Sequence, residues 1–156
     1  MGLIAFGVFQ RRVGDRWIDI PSDIDLDERP LNHWLERQEP HRGFPADFEV
    51  VEGTCHPIAD DDLRPWPDRG RAYPPWHFLH GKILMGDHAH SWLDAPEILR
   101  RATEELTRLE AILAEPSDWD RDYETAALRL IRELRDEVER LVTTHGDVRL
   151  VFGITY

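Results

Sequence analysis

From Asp94 to His145 the chain repeats apolar side chains at spacings of three and four, and this pattern constrains the fold more than any other feature. Ile98, Leu99, Ala102, Leu106, Leu109, Ile112 and Leu113 make one stripe. Tyr123, Ala127, Leu130, Ile131, Leu134, Val138, Leu141 and Val142 make a second. Asp94 before Ala95-Pro96-Glu97 supplies an acidic cap and a first-turn proline, the mark of a helix start. Pro116-Ser117-Asp118 breaks the first stripe and offers a cap to the second, which Gly146 stops. Two helices with so short a link form an antiparallel hairpin, and both stripes must be buried against another layer. Most of the charged residues between the stripes, a group that includes Glu104, Glu105 and Glu137, read as a solvated face.

The second layer comes from the two ends of the chain. Residues 3–9 alternate apolar and small side chains, Arg16-Trp17-Ile18-Asp19-Ile20 alternates again, and Val13-Gly14-Asp15 between them is a turn signal. Residues 148–156 close the chain as a strand. The expectation is one α+β domain over 1–156, a two-layer sandwich. Its antiparallel sheet is built from N- and C-terminal strands, packed by the helix hairpin and interrupted by a long irregular central loop. Leu31, Trp34 and Leu35 have helical spacing and predict a short helix over 30–38, capped by Ser22-Asp23 or Asp27 and ended by Pro40. Proline and glycine recur through residues 40–75, which reads as loop with one strand at Phe48-Glu49-Val50-Val51.

The 156 residues suffice for a real core, and 41% apolar with 32% charged residues is ordinary for a soluble globular chain. A net charge of -12 disfavours free nucleic acid as a partner, since the only basic clusters are Arg11, Arg12 and Arg16, and Arg100 and Arg101. It suits solubility, or docking on basic proteins. No run is long enough to span a bilayer, and the apolar start lacks a basic leader, so neither a membrane nor export is expected. Cys55 is the single cysteine, which excludes an internal disulfide and agrees with a cytoplasmic protein.

Chemistry concentrates in residues 74–93, where four of the eight histidines stand beside Asp87, Ser91, Trp76 and Trp92. If extended, this segment sets His88 and His90 on one face. With His77, His80 and Asp87 they make a candidate set for zinc or another divalent metal, although no established metal-ligand spacing is present. The same His–Asp pairs, with Ser91, suit acid–base or nucleophilic chemistry. A third reading needs no chemistry: Trp66, Trp76 and Trp92 offer stacking faces, and Arg42, Arg64, Arg69 and Arg71 offer paired donors to an anion such as a nucleotide phosphate. The plain alternative for each is packing: histidines hydrogen-bonded under aromatics, and arginines paired with Asp60, Asp61, Asp62 and Asp68. Cys55-His56 reads as an inert thiol beside a histidine.

Four short motifs carry a resemblance. Gly14-Asp15-Arg16-Trp17, Arg42-Gly43-Phe44-Pro45-Ala46-Asp47, Gly86-Asp87-His88-Ala89-His90-Ser91-Trp92-Leu93 and Val148-Arg149-Leu150-Val151-Phe152-Gly153 occur in this order over nearly the whole chain. The chain thereby resembles a family of small uncharacterised phage and bacterial proteins with R-G-x-P-x-D, G-D-H-S-x-S-W-L and closing V-R-x-V-F motifs. Members of that family often begin with C-D-I-H and end in F-D-N. Here Leu3-Ile4-Ala5-Phe6 and Ile154-Thr155-Tyr156 stand instead, so polar groups of a catalytic or metal centre in relatives would be missing. The resemblance implies a phage or mobile-element accessory protein, with host-defence proteins among its partners, and carries no established reaction.

Three functions follow as expectations. The first is a non-enzymatic binder of an anionic small molecule or a host protein, through Arg42, Arg64, Arg69, Arg71, Trp76, His88, His90, Ser91 and Trp92. The second is a metal-dependent hydrolase built on His77, His80, Asp87, His88 and His90. The third is a structural protein or homodimer that works through the acidic helix hairpin.

Overall fold

The computed structural model describes residues 2–48 and 88–155. The two periodicities resolve there into β1 (Ile4–Val13), β2 (Arg16–Ile20), α1 (Leu31–Glu36), β3 (His88–Asp94), α2 (Ala95–Ala114), α3 (Asp122–His145) and β4 (Val148–Thr155). These strands form one antiparallel sheet in the order β2-β1-β4-β3. The chain ends lie side by side, in register from Ile4↔Thr155 to Arg11↔Val148. The fold is α+β, with the helices packed on the sheet.

Strand alternation decides which side chains meet the helices. Ala5, Phe9, Ile20, Leu93, Leu150, Phe152 and Ile154 are buried in one cluster with Ile98, Ala102, Leu106, Leu130, Ile131, Leu134 and Val138. On the opposite face Val8 and Val151 are buried under Phe6, Phe44, Phe48 and Trp92. The sheet therefore has two dry patches, and the smaller one is where the irregular segment after α1 lies.

Gly7 stands between Ala5 and Phe9 on the helix-facing side of β1. A Cβ there would collide with Leu26 Cδ1 and lie 3.2 Å from the Val151 carbonyl oxygen. Leu26 thus occupies the volume a side chain would need. Gly7→Ala is expected to destabilise the fold by about 1–3 kcal/mol through overpacking. Urea unfolding measures this, and an unchanged midpoint would mean that Leu26 yields freely.

The helix boundaries agree with their signals in part. Asp94 caps α2, its carboxylate accepting from the Glu97 N–H at 2.9 Å, and Gly146 ends α3. The other capping expectations are corrected. α1 covers Leu31–Glu36 and has no side-chain cap bond. Ser22 donates to Glu137 at 2.8 Å, and Asp27 accepts from the Ala5 N–H at 2.8 Å; both tie the β2–α1 connection to distant elements. α3 starts after Arg121 without a side-chain cap bond, because the Ser117 hydroxyl accepts from the Trp119 N–H and shapes the turn instead. Most charged residues of the hairpin are exposed, as expected, but not all. The Glu137 side chain is only 9% exposed, while Glu104 is open to solvent. The expected strand beyond Phe48, and Cys55-His56, lie outside the described residues.

Candidate functional site

The segment from Pro40 to Phe48 rounds the edge of the sheet at β3. Gly43, with φ +75°, makes the turn and donates its N–H to the His90 carbonyl at 2.8 Å, covering part of a strand edge that would otherwise be open. The Arg42 N–H donates to Ser91 Oγ at 3.1 Å, and that hydroxyl reaches the Pro40 carbonyl at 3.4 Å. Past the edge, Phe44 stacks on His90 at 4.5 Å and on Phe48 at 5.3 Å between ring centroids. Between this aromatic strap, the sheet's outer face and the adjoining ends of α2 and α3 lies a hollow of about 770 Å³. Trp17, Arg42, Phe44, Asp47, Trp92 and Arg149 line it, with an apolar wall of Pro45, Pro96, Leu99 and Val142.

Arg42 and Glu97 form a bidentate pair at one end, with both N–O distances 2.7 Å. Arg42 also donates to the Trp92 carbonyl at 3.3 Å and lies 4.9 Å over the Trp92 ring. Arg101 adds a second cation at 3.3 Å from Glu97. The hydrogen bonds from Arg42 hold the Glu97 carboxyl below its ordinary range, against the opposing effect of burial. A depressed acid stabilises the fold fully above its unfolded value of about 4.3, and loses that contribution as pH falls from there through the folded value. Glu97→Gln is therefore expected to cost about 1 kcal/mol at pH 7, the pair being partly solvated, and less at pH 3. Urea unfolding at both pH values checks this; an equal loss at both would contradict it.

At the other end a buried polar row crosses the outer face. Gln10 pairs in register with Asp19 on one side and Arg149 on the other. Gln10 Nε2 donates to Asp19 at 2.7 Å, and Arg149 Nε donates to Gln10 Oε1 at 2.9 Å. Arg149 is 4% exposed and lies 4.3 Å over the Trp17 ring. Its Nη1 donates to Asp47 at 2.9 Å, and its buried Nη2 has no hydrogen-bond partner among the described residues. The bond from Arg149 holds the Asp47 carboxyl below its ordinary range, while burial pulls the guanidinium below its own.

Of the residues singled out in the sequence, Arg42 and Trp92 line the hollow. Arg42 meets Glu97 there rather than standing ready for a phosphate. Ser91 is fully buried and holds the loop, which gives its hydroxyl a structural task. His90 packs on Phe44 behind the lining. β3 is extended, but Ala89 has φ +52° and the register shifts between His88 and Ser91, so strict two-residue alternation fails there. The expected shared face of His88 and His90 has no support in that backbone. Arg64, Arg69, Arg71, Trp76, His77, His80 and Asp87 lie outside the described residues, as does the His88 side chain. Among the described residues no three of His, Cys, Asp and Glu gather as a metal site. No described helix is long and apolar enough to cross a membrane.

Sequence reasoning missed Trp17, Asp47 and Arg149 as site residues. Their signal was a polar side chain inside an apolar strand, as in Val148-Arg149-Leu150, where burial demands a partner. Compared with family models, with curated proteins and with solved structures, the chain matches none.

Proposed function

We propose that the protein is a non-catalytic binder of a small anionic molecule, seated in the hollow between the 44–48 strap and the outer face of the sheet. The observation that carries this reading is the pairing of a guanidinium with an indole at each end, Arg42 on Trp92 and Arg149 on Trp17, across an apolar wall. Ligand pockets combine an apolar lining with a few placed polar groups in about 300–1,000 Å³. The four motifs behind the family resemblance each contribute to this lining, through Trp17, Arg42 with Asp47, Trp92, and Val148 with Arg149. With that resemblance the reading extends to an accessory protein of a phage or mobile element. Calorimetric titration with AMP, GMP, inorganic phosphate and 2-naphthoate tests it, against the wild type and Ala46→Trp. Ala46 is exposed on the rim, so the new indole fills the hollow without touching the core. Stoichiometric binding of at least one anion, weakened tenfold or more in the variant, is expected. Silence from all four, or binding indifferent to the indole, contradicts the reading.

A second reading has one observation of its own. Trp119, at the tip of the α2–α3 turn, is 85% exposed among the exposed acids Glu115, Asp118, Asp120 and Asp122. An exposed indole is the usual anchor of a protein interface, and the acids favour a basic partner surface or a pairing of copies through the hairpin tips. Trp119→Ala is then expected to dissolve an assembly seen by light scattering while leaving stability within about 0.5 kcal/mol. A monomer at all concentrations removes the self-pairing.

A further inference from the structure

Resting on the reading above, we infer that Asp47 occupies the seat of a ligand carboxylate on Arg149, so that the ligand is a small monocarboxylate with an apolar body. The Nη1–Nη2 edge of a guanidinium matches the two oxygens of one carboxylate. On Arg149 that edge is half used, with Nη1 bound to Asp47 and Nη2 without a partner among the described residues. A buried donor left unmade is costly, and native interiors rarely keep one without a reason. Everything else about Arg149 is fixed by groups that stay in place: Nε on Gln10, Gln10 on Asp19, and the guanidinium over Trp17.

Asp47 differs from these. Its side chain is 56% exposed against 4% for Arg149. It sits on an irregular segment that is tied to the β3 edge at Arg42 and Gly43 and beyond them packs on the sheet through Phe44 and Phe48 without strand pairing. The exposed carboxylate is held by Arg149, by the Trp17 side chain and by its own backbone, and a ligand carboxylate that takes its place and meets both Arg149 nitrogens gains the bond Asp47 leaves unmade. Nη2 is sealed from solvent in this arrangement, so the ligand reaches it only as Asp47 and the Phe44–Phe48 stack move aside. The exchange is a competition, and removing the internal competitor raises apparent affinity. The apolar walls at Pro45, Pro96 and Leu99 receive the rest of the molecule.

The experiment titrates 2-naphthoate, its neutral analogue 2-naphthamide and inorganic phosphate into wild type, Asp47→Asn and Arg149→Lys by calorimetry. Circular dichroism first sets a temperature at which all three proteins are folded. Asp47→Asn is expected to bind 2-naphthoate about tenfold tighter than wild type or better, corresponding to about 1.4 kcal/mol. Arg149→Lys keeps the charge, loses the fork, and is expected to weaken it by about tenfold. The amide is expected to gain nothing from Asp47→Asn, and phosphate less than the carboxylate. Equal affinity of wild type and Asp47→Asn, or an equal gain for the amide, overturns the inference. If 2-naphthoate binds all three proteins alike and Ala46→Trp still blocks it, only the inference falls. If 2-naphthoate binds none of them while AMP, GMP or phosphate binds the wild type, the inference alone falls; if none of the four anions binds the wild type, the reading of the hollow falls with it.

Discussion

Arg149→Met lowers the unfolding free energy by about 3–5 kcal/mol, because removing one member of a buried charged network strands the others. Methionine keeps most of the volume and the packing on Trp17, so the loss reports the polar row rather than a cavity. Gln10 Oε1 would lose its donor, and the Asp19 carboxylate, 2% exposed, would lose the nearby cation. Asp47 contributes little to this loss, being mostly in water already. The cause can be isolated. Adding Asp19→Asn to Arg149→Met is expected to recover about 1 kcal/mol or more, since a buried carboxylate that has lost the nearby Arg149 cation is then neutral. Chemical unfolding of the two single variants and the double variant measures the coupling. A loss below about 1 kcal/mol for Arg149→Met would mean the row is hydrated, and the positioning argument for Arg149 would fail.

Phe152→Ala has a comparable effect from a different source. Phe152 is fully buried in the middle of β4, opposite Gly7 on β1 and Ser91 on β3, and its ring joins the sheet to the helix layer. Truncating a buried phenylalanine removes its transfer free energy and leaves a cavity, together about 3–5 kcal/mol. The cavity would open in the main core between the sheet and the helices, where Phe152 is 0% exposed, which places the expected cost toward the upper end. A thermal scan shows the loss as a fall of roughly ten degrees or more in Tm for a chain of this size. A fall of one or two degrees would mean that the helices do not press on this strand.

The legibility of the fold follows the range of each signal. α2 and α3 were readable because their stripes, the Asp94 cap and the Gly146 stop all act within a few residues. The pairing of β1 with β4 was readable because two apolar strands had one helix layer to cover. The length of β1 was not: it runs on to Val13 because β2 pairs with it through Val13↔Arg16. β3 was readable only conditionally, since a bulge at Ala89 disguises its alternation.

The site was less legible for a physical reason. Alternation tells which residues share a face but not what covers it. Asp19, Gln10 and Arg149 are all buried, and Arg149 owes one of its partners to a distant segment: it meets Asp47 at a separation of 102. Arg42 and Trp92, both among the residues singled out in the sequence, lie against each other. The Glu97 that neutralises Arg42 lies on α2, where its spacing gave it no distinction from other surface acids.

On the proposed reading Trp17 and Trp92 face one ligand in one hollow. Incorporation of 5-fluorotryptophan gives each indole its own fluorine resonance, assigned with Trp17→Phe and Trp92→Phe, and 2-naphthoate is then titrated in. The Trp17 and Trp92 signals are expected to move together and saturably, while those of Trp34, buried in the helix-side core, and of Trp119 at the hairpin tip stay still. Motionless Trp17 and Trp92 signals, or a response confined to Trp119, would contradict that reading.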